Sequence, residues 1–213
     1  MFKSKLVEND SHHKFIQFIL MEVDYMDAIT AVTQRVSVAQ LTGPGPTQQQ
    51  LEQIYQAAFR APDHAWMRPW RYLTIKGEGL VQLGEVFAQA HLQEDPSLAA
   101  DKIAKIKSKP QRAPVMIVAI ANIKEHNKVP AVEQQLAVGA GIQNMLITAY
   151  ALGLGAIWRT GSMAYNQHVK DSLGLTAQEE ILGFIYIGHV NCKLKKPPVL
   201  DMKDFVQDWP VVN

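Results

Sequence analysis

Apolar positions change period along the chain, and each change marks an element. Leu51, Ile54, Tyr55, Ala58 and Phe59 recur at the spacing of one helical face. Thr47 followed by Gln50 reads as the capping box that starts this helix, and its end is expected near Arg60. Upstream, Met26 to Gln34 is helix-like, and the run Gly43-Pro44-Gly45-Pro46 forces a turn after it. Ala61 to Pro69 is turn-prone, after which Arg71 to Lys76 (RYLTIK) alternates as a strand does. Gly77 to Ala90 and Ala99 to Lys107 read as helices. Pro114 to Ile123, PVMIVAIANI, is an unbroken apolar run rich in β-branched residues, as expected of a strand covered on both faces. Pro130 suits the first turn of a long helix. Ala156 to Thr160 and Ile181 to Ile187 supply two further strands, with a helix near Tyr165 to Leu173 between them. Helices come first, then strands and helices mixed, which predicts an α+β fold with helices packed on a small central sheet.

One stretch tests that reading. Gln134 to Trp158 contains no charged residue, and its 25 positions are enough to cross a bilayer. It also holds Gln143, Asn144 and Thr148 and stops at Gly153 and Gly155, so a helix buried all round in a soluble core is the expectation. The apolar segment Phe15 to Met21 is interrupted by Gln17 and followed by Glu22 and Asp24, which is not a signal-peptide pattern.

Composition agrees with a globular chain. The 213 residues are 47% hydrophobic and 19% charged, with Lys+Arg 21 against Asp+Glu 20. A net charge of +1 lacks the basic excess that drives nucleic-acid binding. The single Cys192 cannot form an internal bridge and fits a cytoplasmic protein. No nucleic-acid or membrane partner is therefore expected.

Several chemistries are removed by absent motifs. Gly139-Ala140-Gly141 begins like a dinucleotide fingerprint but lacks its third glycine and lies inside a helix. The chain has no GxxxxGK[ST], HExxH, CxxC or GxSxG run, and its seven histidines show no ligand spacing, so no metal is expected. Lys102, Lys105, Lys107, Lys109 and Arg112 read as a solvated helix face. Lys193, Lys195 and Lys196 follow the last strand, where a loop cation can reach a ligand.

Three polar clusters remain beside core helices: Arg35 with Ser37, Arg60 to His64 (RAPDH), and Trp158-Arg159-Thr160-Gly161. Helix capping and turn formation explain each cluster alone. If they converge, Arg35 and Ser37 suit a phosphate and Arg159 an electron-rich ring.

These clusters, together with MDAI, MRPWR (Met67 to Arg71), HNKVP (His126 to Pro130), GLGAIWRTG (Gly153 to Gly161) and ILGFIYIG (Ile181 to Gly188), resemble the nitroreductase family of flavoenzymes. The similarity is greatest to its compact YdjA-like subgroup of NAD(P)H nitroreductases. The resemblance implies a nitroreductase-like α+β fold, with a central mixed or antiparallel sheet flanked by helices in an intertwined homodimer. Residues 1–25 would be an N-terminal arm or extension, or precede a true start near Met26, and residues 26–213 the FMN-binding domain. Arg35, Val36, Ser37, Trp158, Arg159 and Thr160 would hold FMN from one subunit, and Arg60 and His64 from the other. The family's tripeptide commonly carries a second basic residue where Val36 stands. The small residues Gly139, Ala140 and Gly141 are expected on a helix face that meets the second subunit.

The implied activity is ping-pong hydride transfer from NADH or NADPH through the flavin to nitroaromatic, quinone or similar acceptors, with no catalytic protein nucleophile or base. A non-catalytic flavin-binding or sensing protein of the same fold is the alternative.

Overall fold

The structure, a computed structural model, describes residues 26–209, so the N-terminal arm lies outside it. Helix α1 (Ala28–Gln34) is capped by the Asp27 carboxylate, which accepts from the Thr30 N–H. Strand β1 (Leu41–Thr42) follows, then α2 (Gln48–Ala58), β2 (Trp70–Lys76), α3 (Glu78–Glu94) and α4 (Ala100–Lys107). Strand β3 (Val115–Asn122) precedes the long helix α5 (Ala131–Ala151), which leads into β4 (Gly155–Arg159), α6 (Gln167–Ser172) and β5 (Glu179–Val190).

Every strand pairing is antiparallel. β5 pairs with β1, β3 and β4, and β3 also pairs with β2, which makes a five-stranded sheet with β2 at an edge. The side-chain period of two sends alternate β3 residues into two cores. Val115, Ile117, Ala119 and Ala121 pack with Leu51 and Ile54 of α2 and Val138, Ile142 and Met145 of α5. Met116, Val118 and Ile120 pack with Leu80, Leu83 and Phe87 of α3 and Ile106 of α4. Helices therefore cover both faces, which is why β3 is apolar throughout.

The predicted capping box is present: Gln50 N–H donates to the Thr47 hydroxyl and Thr47 N–H to the Gln50 side chain. α2 ends at Ala58, so Arg60 stands just beyond it. β1 has no sequence signal, because it exists only through two pairings with Val190 and His189.

One expectation about α5 is corrected. The helix is not buried all round: Val132 and Leu136 face outward, Leu136 with 67% exposure, and among the described residues no helix is long and apolar enough to cross a membrane. Of the small residues, Gly141 serves the chain's own packing. A Cβ at Gly141 would lie 3.2 Å from the Ala58 carbonyl and 2.9 Å from the Tyr72 hydroxyl, so α5 crosses α2 at close range there.

Candidate functional site

Trp158 and Arg159 end β4 and point to opposite faces of the sheet. The β3–β5 register steps from Ala119 opposite Gly183 to Ile120 opposite Ile181, leaving Leu182 as the extra residue of a β-bulge. The freed Leu182 carbonyl accepts the Trp158 indole N–H at 2.9 Å. Gly183 is required by close approach, since a Cβ there would land on the indole nitrogen. The far edge of the indole faces α5, where a Cβ at Gly139 would be 3.9 Å away.

Arg35, Val36 and Ser37 follow α1, and Val38 N–H donates to the Ala156 carbonyl at 3.0 Å, which lays the tripeptide beside β4. Arg35 Nε and Nη1 are buried with no hydrogen-bond partner among the described residues. A buried guanidinium donor left unmatched is costly. Ser37, Val38, Gln40, Cys192, Lys193 and Lys195 line one cavity of about 260 Å³, so cations from beyond β5 share a cavity with the last residue of the tripeptide.

On the other side of the sheet, Lys109, Arg112, Arg159, Thr160, Ser162 and Tyr186 line a cavity of about 450 Å³ that has no lining carboxylate. Burial pushes the Tyr186 phenol above its ordinary value, against the opposing pull of Arg112 and Arg159. His91, also in the lining, keeps its Nε2 buried without a partner among the described residues. Lys109 and Arg112, read from sequence as part of a solvated face, thus converge with Arg159.

Arg60 and His64 lie apart from this group, Arg60 lining a cleft with Trp66 and Arg68 and His64 near the start of α5. His64 Nδ1 is 2.7 Å from the Glu133 carboxylate. Trp158 faces Gly139 of the same helix, six residues or about 9 Å farther along its axis. The loop after His64 is strained: Ala65, Trp66 and Arg68 have φ of 55°, 54° and 46°. Each such non-glycine residue costs about 1–3 kcal/mol and persists only where its surroundings fix it. Here Asp63 accepts Arg68 N–H at 2.9 Å, and Lys124 Nζ donates to the Met67 carbonyl at 2.6 Å.

The model of the Nitroreductase family matches residues 32–189. The chain belongs to the nitroreductase family. It is 37% identical over 163 residues to the "Putative NAD(P)H nitroreductase YdjA" of Escherichia coli (strain K12), spanning 76% of this chain and 88% of that one. The crystal structure of a nitroreductase-like family protein from Bacillus cereus superposes with a TM-score of 0.75 at 22% identity, covering 88% of this chain and 98% of the other. A variant of the FMN and NADPH-dependent nitroreductase NfnB from Sphigopyxis sp. strain HMH gives a TM-score of 0.71 at 17% identity, covering 87% and 100%. These likenesses agree with the α+β architecture expected from sequence.

Within this nitroreductase-family protein, Arg71 of the MRPWR motif has a structural role. It forks onto Glu179 with contacts of 2.5 and 2.9 Å, joining β2 to the start of β5. The convergence of Lys193 and Lys195 on Ser37, and of Lys109 and Arg112 on Arg159, had only a run of positive charge as its signal.

Proposed function

We propose that the protein is an FMN-dependent NAD(P)H oxidoreductase of the nitroreductase type. The observation that carries this is Arg35, whose guanidinium donors are buried and unmatched among the described residues, two positions before Ser37, which lines a cavity with Lys193 and Lys195. That donor set suits a phosphate dianion, and the two lysines offset the cation that Val36 omits. The chemistry a bound FMN supplies is hydride acceptance from NADH or NADPH and, once the nicotinamide has left, delivery of reducing equivalents to nitroaromatic, quinone or similar acceptors.

The protein's own residues bind and orient. Trp158, locked by Leu182, gives a rigid indole wall. Arg159, with Lys109 and Arg112, provides positive potential that favours negative charge developing on a ring. Thr160 contributes polar groups at the end of β4. Among these residues no nucleophile–base pair is required.

In this reading Arg60 and His64 serve the FMN of a second subunit in a homodimer. What supports a dimer is apolar surface exposed among the described residues: Ile29 and Val32 on α1, Val132 and Leu136 on α5, and Phe205 and Trp209.

The test is the visible spectrum of the purified protein before and after anaerobic NADH and NADPH. A flavin spectrum that either nicotinamide bleaches is the expected result. Colourless protein that gains neither colour nor nicotinamide oxidation with added FMN would refute the reading. Bound FMN that no nicotinamide bleaches would instead establish the non-catalytic flavin-binding alternative.

A further inference from the structure

Three like charges share the cavity on the α3 side of the sheet. Lys109 and Arg112, carried past the end of α4 by the turn Pro110–Arg112, meet Arg159 of β4 there, and Thr160, Ser162 and Tyr186 add hydroxyls. None of the three cations forms an ion pair among the described residues, and the lining holds no carboxylate. Glu94 lies 3.9 Å from His91 Nδ1, but it is not part of the lining and accepts from the Asn166 amide. Like charges held together repel one another, and an anion between them relieves that cost. Polar groups are also kept from bulk water here: Tyr186 is 5% exposed, and the other ring nitrogen of His91 is buried without a partner among the described residues. The cavity shares no lining residue with that of Ser37, Lys193 and Lys195, and Arg159 takes the opposite face of β4 from the Trp158 indole.

We propose that this cavity is a second anion site that takes a diphosphate, held by Lys109, Arg112 and Arg159 with the Thr160 and Ser162 hydroxyls donating to it. The residue chemistry selects this class. Each guanidinium presents a planar fork that matches a pair of phosphate oxygens, and the ammonium of Lys109 adds a point charge. A monocarboxylate has two oxygens for three cations, and a cavity of about 450 Å³ has room for more than one phosphate group. On the oxidoreductase reading, on which this consequence alone rests, the occupant is a brake. It cancels the positive potential that favours a negatively charged reduced flavin, and so makes the flavin harder to reduce.

The experiment is calorimetry with inorganic pyrophosphate on the purified protein, with and without saturating FMN, at about 0.15 M salt, where exposed charges are largely screened. One pyrophosphate per chain is expected in both cases. Lys109→Gln and Arg112→Gln should each weaken it by about tenfold or more, as loss of a charge-assisted hydrogen bond does. Lys102→Gln and Lys105→Gln, on α4 but outside the lining, should change it by less than about twofold. The two lining variants should melt at or above the wild-type temperature, since each removes a repelled charge. ADP binding more tightly than pyrophosphate would assign the diphosphate to a nucleotide, and the reverse order to free pyrophosphate. Loss of binding once FMN saturates the protein would make the cavity part of the flavin site and overturn the proposal. Equal weakening by all four variants would overturn it too, by marking a general basic surface. In the flavin-loaded protein pyrophosphate should lower the flavin midpoint potential, and a potential that does not move overturns the brake. Pyrophosphate binding as expected in a protein whose flavin no nicotinamide bleaches would sink the oxidoreductase reading and leave the anion site standing.

Discussion

Trp158 donates its indole N–H to the Leu182 carbonyl, 2.9 Å away, and the bulge that frees this carbonyl also brings Gly183 under the ring. The two neighbours thus fix one side chain, and no atom can be added at Gly183 without moving it. Gly183→Ala should therefore cost about 1–3 kcal/mol, as overpacking does, and displace the indole. Urea denaturation reads the first effect and a change in tryptophan emission the second. An unaltered midpoint and spectrum would show that the bulge does not hold Trp158.

Arg35 offers a test with opposite signs in two states. Its Nε and Nη1 are buried without partners among the described residues, so Arg35→Met should stabilise the flavin-free protein, by about 1 kcal/mol or more. The same change should weaken FMN binding at least tenfold. Thermal melting of the apoprotein and fluorescence titration with FMN measure the two. Loss of stability in the apoprotein would mean that Arg35 has a structural partner.

The Arg71–Glu179 fork predicts a pH dependence. The Arg71 guanidinium, first, and the Thr176 N–H hold the Glu179 carboxyl below its ordinary value of 4.5. A depressed carboxylate pKa contributes stability that is complete above the unfolded value and is lost as pH falls through the folded one. Wild type should accordingly lose stability as pH drops below about 4, and Glu179→Gln should flatten that part of the profile. At neutral pH the variant should cost about 2–3 kcal/mol. That is less than for a fully buried pair, because Glu179 is 5% exposed but Arg71 is 34% exposed. Urea midpoints measured from pH 3 to pH 7 check both statements.

The proposed dimer rests on outward apolar residues such as Leu136. A carboxylate there would be desolvated in an interface, so Leu136→Glu should shift sedimentation at micromolar concentration from dimer to monomer. Retained flavin should fall with it if Arg60 and His64 serve the second subunit. Wild-type sedimentation as a monomer would contradict the dimer outright.

Local signals proved reliable where a single element carries its own reason. The β-branched run of β3, the capping box of α2 and the apolar length of α5 were all legible, since period and capping chemistry act within a few residues. The motifs Arg35 to Ser37, RAPDH and Trp158 to Thr160 could likewise be read as text.

What sequence could not supply was convergence. β1 exists only because β5 offers it two partners, and Arg71 has a role only because Glu179, 108 positions later, ends beside it. The lysines after β5 meet Ser37, and Lys109 and Arg112 meet Arg159, through the order of strands in the sheet. Left-handed backbone at Trp66 is equally invisible in the chain, because distant contacts from Lys124 and Asn122 help impose it. Sequence by itself determined the elements other than β1 and the two-sided strand, which are set by local propensity and hydrophobic period, and its motifs carried the resemblance to the family. Tertiary structure alone decided which charges share a cavity and which ring is locked or exposed, because those depend on energies between residues that only folding brings together.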